Sequence, residues 1–426
     1  MLFWLLVAAL ATRCLCLPPT RIAVAPAEFT ANPKVGPGGT KFKDSAHFRI
    51  YNASSDAIAN GAIAMLEAAY SCFVDDLGWR SPGLSFRIDS DDGPWNKLNV
   101  YQVDSIQGAA ANTPTDMNLG LAWLNVVKTY MTDPSVVVHE FGHALTYTER
   151  WWIDQGRTGA WWETVAQFVA DTYMTSPYCA SARSKYSQKE GNTLIDLKKV
   201  IGDADQVLVD GSKESSGVRG GNYYQAWPFL SYLFYNPDNF TGLGTAVFPA
   251  VWTKYKRNSN ETPLHVLERI ASPVKIQTIV GRYWARMAFV DIGHAKAQAQ
   301  FNSQRKSLTY PNLDSQGSGK YRVKSARRPR YMGANIIPLK GSGAVVANIT
   351  ASMPFTATLA IKGGDGKVKY VDMPGGNGQT TIANGEEAML VVANTPANLI
   401  LYDPFQLTAE TNAGLDYQLQ LSGVTA

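Results

Sequence analysis

The sequence predicts an α+β protein in two parts, a mixed region of helices and strands followed by an all-β sandwich domain. Before residue 302, apolar residues at helical spacing alternate with short strand patterns, as at Ser55–Leu77 and Leu98–Val103. After residue 330, the apolar runs are short and alternating, and Gly-Gly, Asp-Gly and Asn-Gly turns separate several of them. A chain of 426 residues is also long enough for two cores.

The composition is that of a globular protein. Hydrophobic residues make up 45% of the chain and charged residues 17%, which excludes a mainly disordered protein. The formal net charge of +4 is small for this length, so nucleic acid is not expected as a partner.

The N-terminus predicts export from the cell. Leu2–Thr12 is an apolar run too short to span a bilayer, and Pro18 and Pro19 follow it. We interpret residues 1–16 as a secretory signal peptide, which predicts a secreted, extracellular protein. A single membrane anchor is the alternative interpretation. No later segment is expected to reach the length of a membrane span, so no stable span should remain after cleavage.

Cysteines and glycosylation sequons agree with a secreted protein. Cleavage would remove Cys14 and Cys16 and leave Cys72 and Cys179, which predicts one disulfide, with two buried thiols as the alternative. Four Asn-X-Ser/Thr sequons predict glycosylation, at Asn52, Asn239, Asn260 and Asn348.

The mixed domain is expected over residues 44–301, after an irregular N-terminal arm or short pro-segment at 17–43 that is rich in Pro, Gly and Lys. Strand patterns occur at His47–Tyr51, Leu98–Val103 and Gly120–Tyr130. Apolar residues at helical spacing predict helices at Ser55–Leu77, Ser135–Thr148 (with Asp133 as its cap), Trp161–Met174, Tyr223–Tyr235, Ala246–Tyr255, Leu264–Ala271 and Pro273–Val290.

The segment 302–330 is polar and basic, and we interpret it as a solvated linker. Contact with an anionic surface and processing at Arg327-Arg328 are the alternatives. The β-sandwich domain is expected over 331–426, with strands at Ala334–Leu339, Ala344–Ile349, Ala357–Ile361, Ala388–Val392 and Tyr417–Leu421.

The run His139-Glu140-Phe141-Gly142-His143 carries the clearest chemical signal. Residues four apart lie on one face of a helix, so both imidazoles can bind one metal ion. Glu140 lies beside them, where it can take a proton from metal-bound water. Glycine costs about 1 kcal/mol inside a helix. Gly142 would instead let a neighbouring element pack closely.

Catalytic zinc needs a third protein ligand and an open fourth position. One known spacing places Gly three residues and His six residues after the second His, but Thr146 and Glu149 occupy those positions. The other spacing places a Glu on a following helix. Glu163, twenty residues after His143, fits it, because the polar connection between them is long enough to reverse the chain.

With these residues the chain resembles the gluzincins, the HExxH zinc peptidases that include thermolysin. The resemblance implies a zincin-like catalytic domain that holds one Zn²⁺ and has a small mixed sheet. The edge strand of that sheet would bind extended substrate above the active-site helix, and Gly120–Tyr130 would be this strand. In many gluzincins a Tyr-rich helix start supplies a hydroxyl to the oxyanion. Tyr223 is the first choice for that role and Tyr224 the second.

The whole chain also resembles an uncharacterised family of secreted, mostly fungal proteins that combine this motif with a C-terminal β module. Two residues depart from the thermolysin pattern. Trp162 stands where Asn usually precedes the Glu ligand, and Gln167 stands where an Asp usually orients the first His. Gln167 could accept the same hydrogen bond without a charge, and Asp171, one turn further on, is the other residue considered.

The remaining histidines, His47, His265 and His294, are interpreted as packed or surface residues. The Trp pairs 151–152 and 161–162 flank the loop between the two ligand helices. We interpret them as core and lid packing, with an apolar substrate pocket beside the metal as the alternative.

The sequence therefore predicts a secreted zinc-dependent hydrolase, a metalloendopeptidase acting on a peptide or protein, with Glu140 as the general base. The alternative is a catalytically weak or inactive binding protein on the same scaffold. In that case the β domain would recognise glycan, cell wall or protein.

Overall fold

The computed structural model describes residues 25–149, 152, 156–212, 220–256 and 258–426. The predicted signal peptide at 1–16 and the start of the predicted arm lie outside these residues. The described part of the arm is irregular and mostly exposed, with two buried side chains. Phe29 and Val35 are buried, and Thr30 forms a parallel bridge with Asn96 beside the first sheet.

The first sheet is mixed, and its strands are β1 (Phe42–Asp44), β2 (Phe48–Tyr51), β3 (Leu98–Val103), β4 (Ala111–Asn112), β5 (Thr115–Asp116) and β6 (Leu121–Val127). Strands β2, β3 and β6 are parallel neighbours, and β1 pairs antiparallel with β2. Both β4 and β5 pair antiparallel with the other side of β6.

The edge of this sheet differs from the prediction. Gly120–Tyr130 was expected to be the edge strand, but β6 has neighbours on both sides. The edge is formed by residues 111–116, in which Thr113 and Pro114 separate the two short strands. So short a run, interrupted by Pro114, shows no alternating apolar pattern, and the sequence therefore gave no strand signal there.

The helices of the mixed region surround this sheet. They are α1 (Asp56–Tyr70), α2 (Pro134–Tyr147), α3 (Gly159–Thr175), α4 (Ala180–Lys185), α5 (Leu197–Gly202), α6 (Trp227–Tyr235), α7 (Val247–Lys254), α8 (Pro263–Ile270), α9 (Ile276–Met287) and α10 (Ala295–Gln304). The longer helices agree with the prediction to within a few residues. Helix α10 was missed because only Ala297 and Phe301 of its residues are buried, which leaves no apolar stripe in the sequence.

Helix α1 continues as a π-helix over Ser71–Asp76. The combined stretch Asp56–Asp76 is long and apolar enough to cross a membrane by length and composition, contrary to the expectation for the segments after the signal peptide. Within the fold, however, 61% of its most apolar window is buried. Glu67 is buried in it and accepts hydrogen bonds from His47. This is the pattern of a core helix.

The predicted disulfide is confirmed. Cys72, in the π-helix, is bonded to Cys179, just before α4, and both residues are fully buried. The bond joins the end of the α1 stretch to the segment that follows α3 across a sequence separation of 107.

The C-terminal region is all-antiparallel. Its strands are β7 (Leu313–Gly317), β8 (Lys320–Val323), β9 (Ala334–Leu339), β10 (Gly343–Ala351), β11 (Phe355–Lys362), β12 (Val368–Asp372), β13 (Asn377–Ile382), β14 (Glu387–Asn394) and β15 (Tyr417–Ser422), with a short helix α11 (Ala409–Asn412). They form two sheets, ordered β13-β10-β15-β8-β7 and β12-β11-β14-β9. Residues from both sheets, among them Val345, Leu359 and Leu419, share one core, as a sandwich requires.

The segment 302–330 is part of the fold rather than a solvated linker. Strands β7 and β8 belong to the five-stranded sheet. Several of the basic side chains pair with acidic residues far away in sequence: Arg327 lies 3.2 Å from Asp205, and Arg330 lies 3.5 Å from Asp210. The basic composition of 302–330 suggested a solvent-exposed segment, because the sequence alone does not show which acidic residues pair with it.

The two regions are joined by buried contacts. Helix α9 packs on the four-stranded sheet, and the indole of Trp284 donates a hydrogen bond to the Met332 carbonyl at 2.8 Å. The buried Tyr402 hydroxyl donates to the Val209 carbonyl at 3.2 Å. The segment after Tyr402 lies against the start of α3, where a Cβ at Gly159 would be 2.8 Å from the Phe405 ring.

Candidate metal centre

Helix α2 presents both histidines on one face. Asp133 caps the helix as predicted, because its carboxylate accepts a hydrogen bond from the Ser135 amide at 2.9 Å. His139 and His143 are one turn apart and buried, with ring centroids 4.9 Å apart and ring planes at 83°.

Gly142 allows helix α3 to approach. A Cβ atom at this position would lie 2.8 Å from Cα of Ala166 and 3.1 Å from Cβ of Val169. These distances are too short for a side chain, so the interpretation of Gly142 as a close-packing residue is confirmed. Glu163, one turn before Ala166 on α3, consequently faces the two imidazoles.

The three predicted ligands converge. Oε2 of Glu163 lies 3.1 Å from Nε2 of His139 and 3.2 Å from Nε2 of His143. The three ligand atoms all lie within 4.8 Å of one another. Zinc–ligand distances of about 2.0–2.2 Å at tetrahedral angles place ligand atoms about 3.3–3.6 Å apart. The donor set and its spacing therefore fit a zinc ion.

Gln167 determines which nitrogen of His139 is free. Its side-chain oxygen lies 3.1 Å from Nδ1 of His139, and an amide oxygen can only accept a hydrogen bond. In the neutral imidazole, Nδ1 therefore carries the hydrogen, and Nε2 directs its lone pair at Glu163. A lone pair facing a carboxylate is unfavourable unless a cation lies between them. Gln167 thus makes the contact with His139 that was predicted for it.

The charge of Glu163 also suits a cation. Burial raises the pKa of Glu163, but the two imidazoles beside it outweigh this and hold that pKa far below its ordinary range. Glu163 is therefore ionised at neutral pH, the state in which a carboxylate binds a metal.

Asp171 does not have the role considered for it. Its carboxylate is fully buried and lies 2.5 Å from Nε2 of His294, away from His139. It also accepts hydrogen bonds from the Thr193 hydroxyl and the Leu194 amide. These contacts tie α3 to α10 and the 193–194 segment, and position 171 lies beyond the reach of His139 because it is one turn further along α3 than Gln167.

Glu140 has a partner that sequence reasoning missed. The Thr113 hydroxyl lies 2.6 Å from Oε2 of Glu140 and 3.1 Å from its backbone carbonyl. Thr113 belongs to the edge of the first sheet, so this contact joins the edge to α2. A lone Thr outside any recognised strand carries no sequence signal for such a contact.

The two tyrosines lie together beside the candidate ligands, and Tyr224, the second choice of the prediction, lies nearer to His139 than Tyr223 does. The ring of Tyr224 stacks on His139 at 5.9 Å, and burial and the Glu163 charge raise its pKa. Tyr223 lies one ring further out, 4.7 Å from Tyr224, and its backbone carbonyl accepts from Thr164. The Tyr224 hydroxyl is therefore the nearer of the two to the candidate ligands.

A cleft of about 540 Å³ opens over this cluster. One wall is the edge segment 109–114. Tyr147 and Trp162 lie near His143, and Tyr147 stacks on that imidazole at 6.2 Å. The other lining residues are Gly159, Tyr223, Tyr224 and Phe405. Described arm residues 25–43 contribute nothing to this lining.

The Trp residues of the two pairs differ in position: some pack in the core, as interpreted, and one lies beside the candidate ligands, as in the alternative. Trp152 and Trp161 are buried in the core, whereas Trp162 lines the cleft; Trp151 lies outside the described residues. The remaining histidines are packed, as expected. His47 bonds Glu67, His265 lies 2.7 Å from the Thr262 hydroxyl, and His294 caps α10.

The four sequon asparagines, Asn52, Asn239, Asn260 and Asn348, are all exposed. A glycan could therefore be attached at each without burial. Glycosylation itself stays a prediction.

Residues 42–196 match the sequence profile of a protein family described as a family of unknown function, DUF6055. The matched range includes the three candidate ligands and Thr113, and it ends before Tyr223 and Phe405. No curated protein matches the chain. The comparison therefore relates the ligand helices to a family without assigning a reaction.

Proposed function

We propose that this protein is a zinc-dependent hydrolase that cleaves peptide bonds, similar to the gluzincins. The observation that carries the proposal is the convergence of His139, His143 and Glu163 beneath an open cleft, with Glu140 beside them. A purely structural zinc site is usually closed by four protein ligands, whereas a catalytic site keeps one position open. Glu163 is the most exposed of the three, with 26% of its side chain accessible.

The chemistry follows from the position of each group. A bound zinc ion would supply the Lewis acidity for hydrolysis. Glu140 accepts a proton from the attacking water and passes it to the leaving nitrogen. Its carboxylate is held toward the cleft by Thr113. The Tyr224 hydroxyl donates a hydrogen bond to the carbonyl oxygen as negative charge develops there.

A peptide is the substrate that the sheet edge favours. Residues 109–114 line the cleft and continue the antiparallel edge of the first sheet. The outer side of an edge strand carries backbone donors and acceptors that an extended polypeptide can pair with. A substrate strand there would pass directly over Glu140 and the metal ligands.

Secretion is part of the proposal. A buried disulfide is stable in an oxidising compartment and rare in the cytosol. The Cys72–Cys179 bond therefore supports export, together with the apolar run at Leu2–Thr12.

A second candidate is a binding protein that retains the metal for structure. The neutral Gln167 favours it, because a carboxylate partner would make His139 a stronger ligand and base. Against it stands the Thr113 contact, since a structural metal site needs no carboxylate oriented beside it. Hydrolysis is thus the better-supported function.

The test measures zinc content and peptide cleavage separately. Wild-type protein is expected to hold one zinc per chain by mass spectrometry and to cleave peptides in a defined mixture. Glu163→Ala should lose the metal, and Glu140→Gln should keep it while losing cleavage. Glu190→Ala, which removes a half-exposed carboxylate paired with Lys296, is the matched control and should change neither. Full cleavage by Glu140→Gln would overturn the proposal.

A further inference from the structure

Phe405 is the point at which the C-terminal region enters the metal cleft. It lies in the segment between β14 and β15, yet its ring lines the same cleft as His139 and Glu163. The ring sits against two glycines of the mixed region. A Cβ at Gly159 would lie 2.8 Å from the ring, and one at Gly211 would lie 2.6 Å from it. Any larger residue at either position would displace Phe405.

The ring is close to the proposed reaction centre. Gly159 precedes Glu163 by four residues on α3, which corresponds to about 6 Å along the helix axis. Tyr223 makes an edge contact with Phe405 at 6.0 Å, and Tyr223 in turn contacts Tyr224, which stacks on His139. A continuous aromatic surface therefore runs from Phe405 to the metal ligands.

The backbone holds Phe405 in place without a ligand. The Gly211 amide donates to the Pro404 carbonyl at 2.9 Å, and the Phe405 amide donates to the Asp403 side chain at 2.8 Å. Tyr402, three residues before Phe405, is buried and bonded to Val209. Little conformational entropy would be lost when something packs on this ring, because its backbone is already fixed.

The Phe405 ring is not buried in the core. Its exposure is 47%, so about half of an apolar ring faces the cleft. The other large hydrophobic residues exposed in the described part of the C-terminal region, Val346 and Leu401, are aliphatic. An exposed aromatic ring beside a metal cleft is the kind of surface that binds an apolar group.

The described lining of the cleft also restricts what can bind. Its charged residues are the acidic Glu140 and Glu163, and no Lys or Arg lines it. Anionic ligands therefore find no cationic partner among these residues. An uncharged apolar side chain, carried by a polypeptide lying along the sheet edge, meets the aromatic surface without an electrostatic cost.

We infer that Phe405, with Tyr223, forms a subsite for a large apolar side chain of the substrate. The C-terminal β region thereby sets the specificity of the cleft. This inference rests on the proposed function in assuming that the cleft receives a polypeptide.

The test uses binding, so that it does not depend on cleavage. In a zinc-loaded Glu140→Gln background, calorimetry compares two capped heptapeptides, one all-alanine and one with a single central Phe. The background protein is expected to bind the Phe peptide about ten- to a hundredfold more tightly. Adding Phe405→Ala should reduce this preference to less than about threefold, and Phe405→Leu should retain most of it.

The matched control is Leu401→Ala, which removes another exposed apolar side chain from the same segment, with 51% exposure, and should keep the full preference. An unchanged preference in Phe405→Ala, or no preference in the background protein, would overturn the inference. Cleavage by the protein with Glu140 intact is scored separately. A preference for the Phe peptide without any peptide cleavage would contradict the proposed function alone. Peptide cleavage without that preference would contradict the subsite alone.

Discussion

The Thr113 hydroxyl lies 2.6 Å from the carboxylate of Glu140, and this contact links the edge of the first sheet to the helix that carries His139 and His143. A hydroxyl placed this close to a carboxylate donates a charge-assisted hydrogen bond. The position of the proposed general base therefore depends on a residue of the sheet edge.

Thr113→Val should lower kcat while zinc content stays at one per chain. The substitution preserves shape but removes the donor, and a hydrogen bond to a charged group is worth about 1.5–3 kcal/mol. A fall in kcat of roughly ten- to a hundredfold is expected in steady-state kinetics. Thr113→Ser, which keeps the hydroxyl, should recover most of the rate. Equal rates for the Val and Ser variants would contradict the role.

Tyr224→Phe should reduce kcat by about a hundredfold with little change in KM, because the lost hydroxyl acts on charge that develops only in the transition state. Tyr223→Phe should have the smaller effect on kcat, since Tyr223 lies one ring further from His139. Kinetics of both variants on one peptide decide between them. A larger loss in Tyr223→Phe would restore the order of preference that the resemblance implied.

Gly142→Ala should destabilise the protein and weaken zinc binding together. Alanine gains about 1 kcal/mol in helix propensity, but its Cβ would lie 2.8 Å from Cα of Ala166. Overpacking typically costs about 1–3 kcal/mol. Urea unfolding and chelator competition measure the two effects. Gly202→Ala, at a helical glycine with no atom within 4 Å of the added Cβ, is the control and should not destabilise.

Replacing both Cys72 and Cys179 by Ala should lower the free energy of unfolding by about 3–5 kcal/mol. The bond closes a loop with a sequence separation of 107, and in the chain-entropy model a loop of this length contributes about 4.7 kcal/mol. Urea denaturation of the double variant measures the loss. Thiol titration of the unfolded wild type gives the complementary result, in which neither cysteine should react before reduction.

Acid should destabilise the fold partly through Glu67. Burial raises the pKa of this carboxyl, but hydrogen bonds from the His47 ring and amide outweigh it, so the pKa lies below the ordinary value of 4.5. The folded state therefore binds fewer protons than the unfolded one. The stabilisation from ionised Glu67 is complete above about pH 5. It is lost as pH falls below 4.5 and through the pKa of Glu67 in the folded state.

Urea unfolding between pH 6 and pH 3 measures this effect. Glu67→Gln should flatten the pH dependence by about 1–3 kcal/mol, as for a buried hydrogen bond to a charged group. Asp104→Asn, at a carboxylate whose side chain is 93% exposed, is the control and should leave the slope unchanged. An identical slope in wild type and Glu67→Gln would rule out this contribution.

The sequence by itself determined the local features. Helical spacing and the cap at Asp133 predicted the helix that carries His139 and His143, because both patterns depend only on neighbouring residues. Gly142 indicated a close helix contact, and the parity of the cysteines predicted the disulfide. The convergence of Glu163 with the two histidines agrees with the spacing because a short connection between antiparallel helices leaves few other arrangements.

Only the tertiary structure decided which distant residues meet. Thr113 lies on a two-residue break in an edge strand, and Phe405 comes from a segment more than two hundred residues after Glu163; neither position carries a periodic signal. Arg327 and Arg330 form ion pairs with distant acidic residues, which composition cannot reveal. Contacts of this kind depend on how whole elements pack, and the packing is fixed by the sum of many weak interactions rather than by any local run of residues.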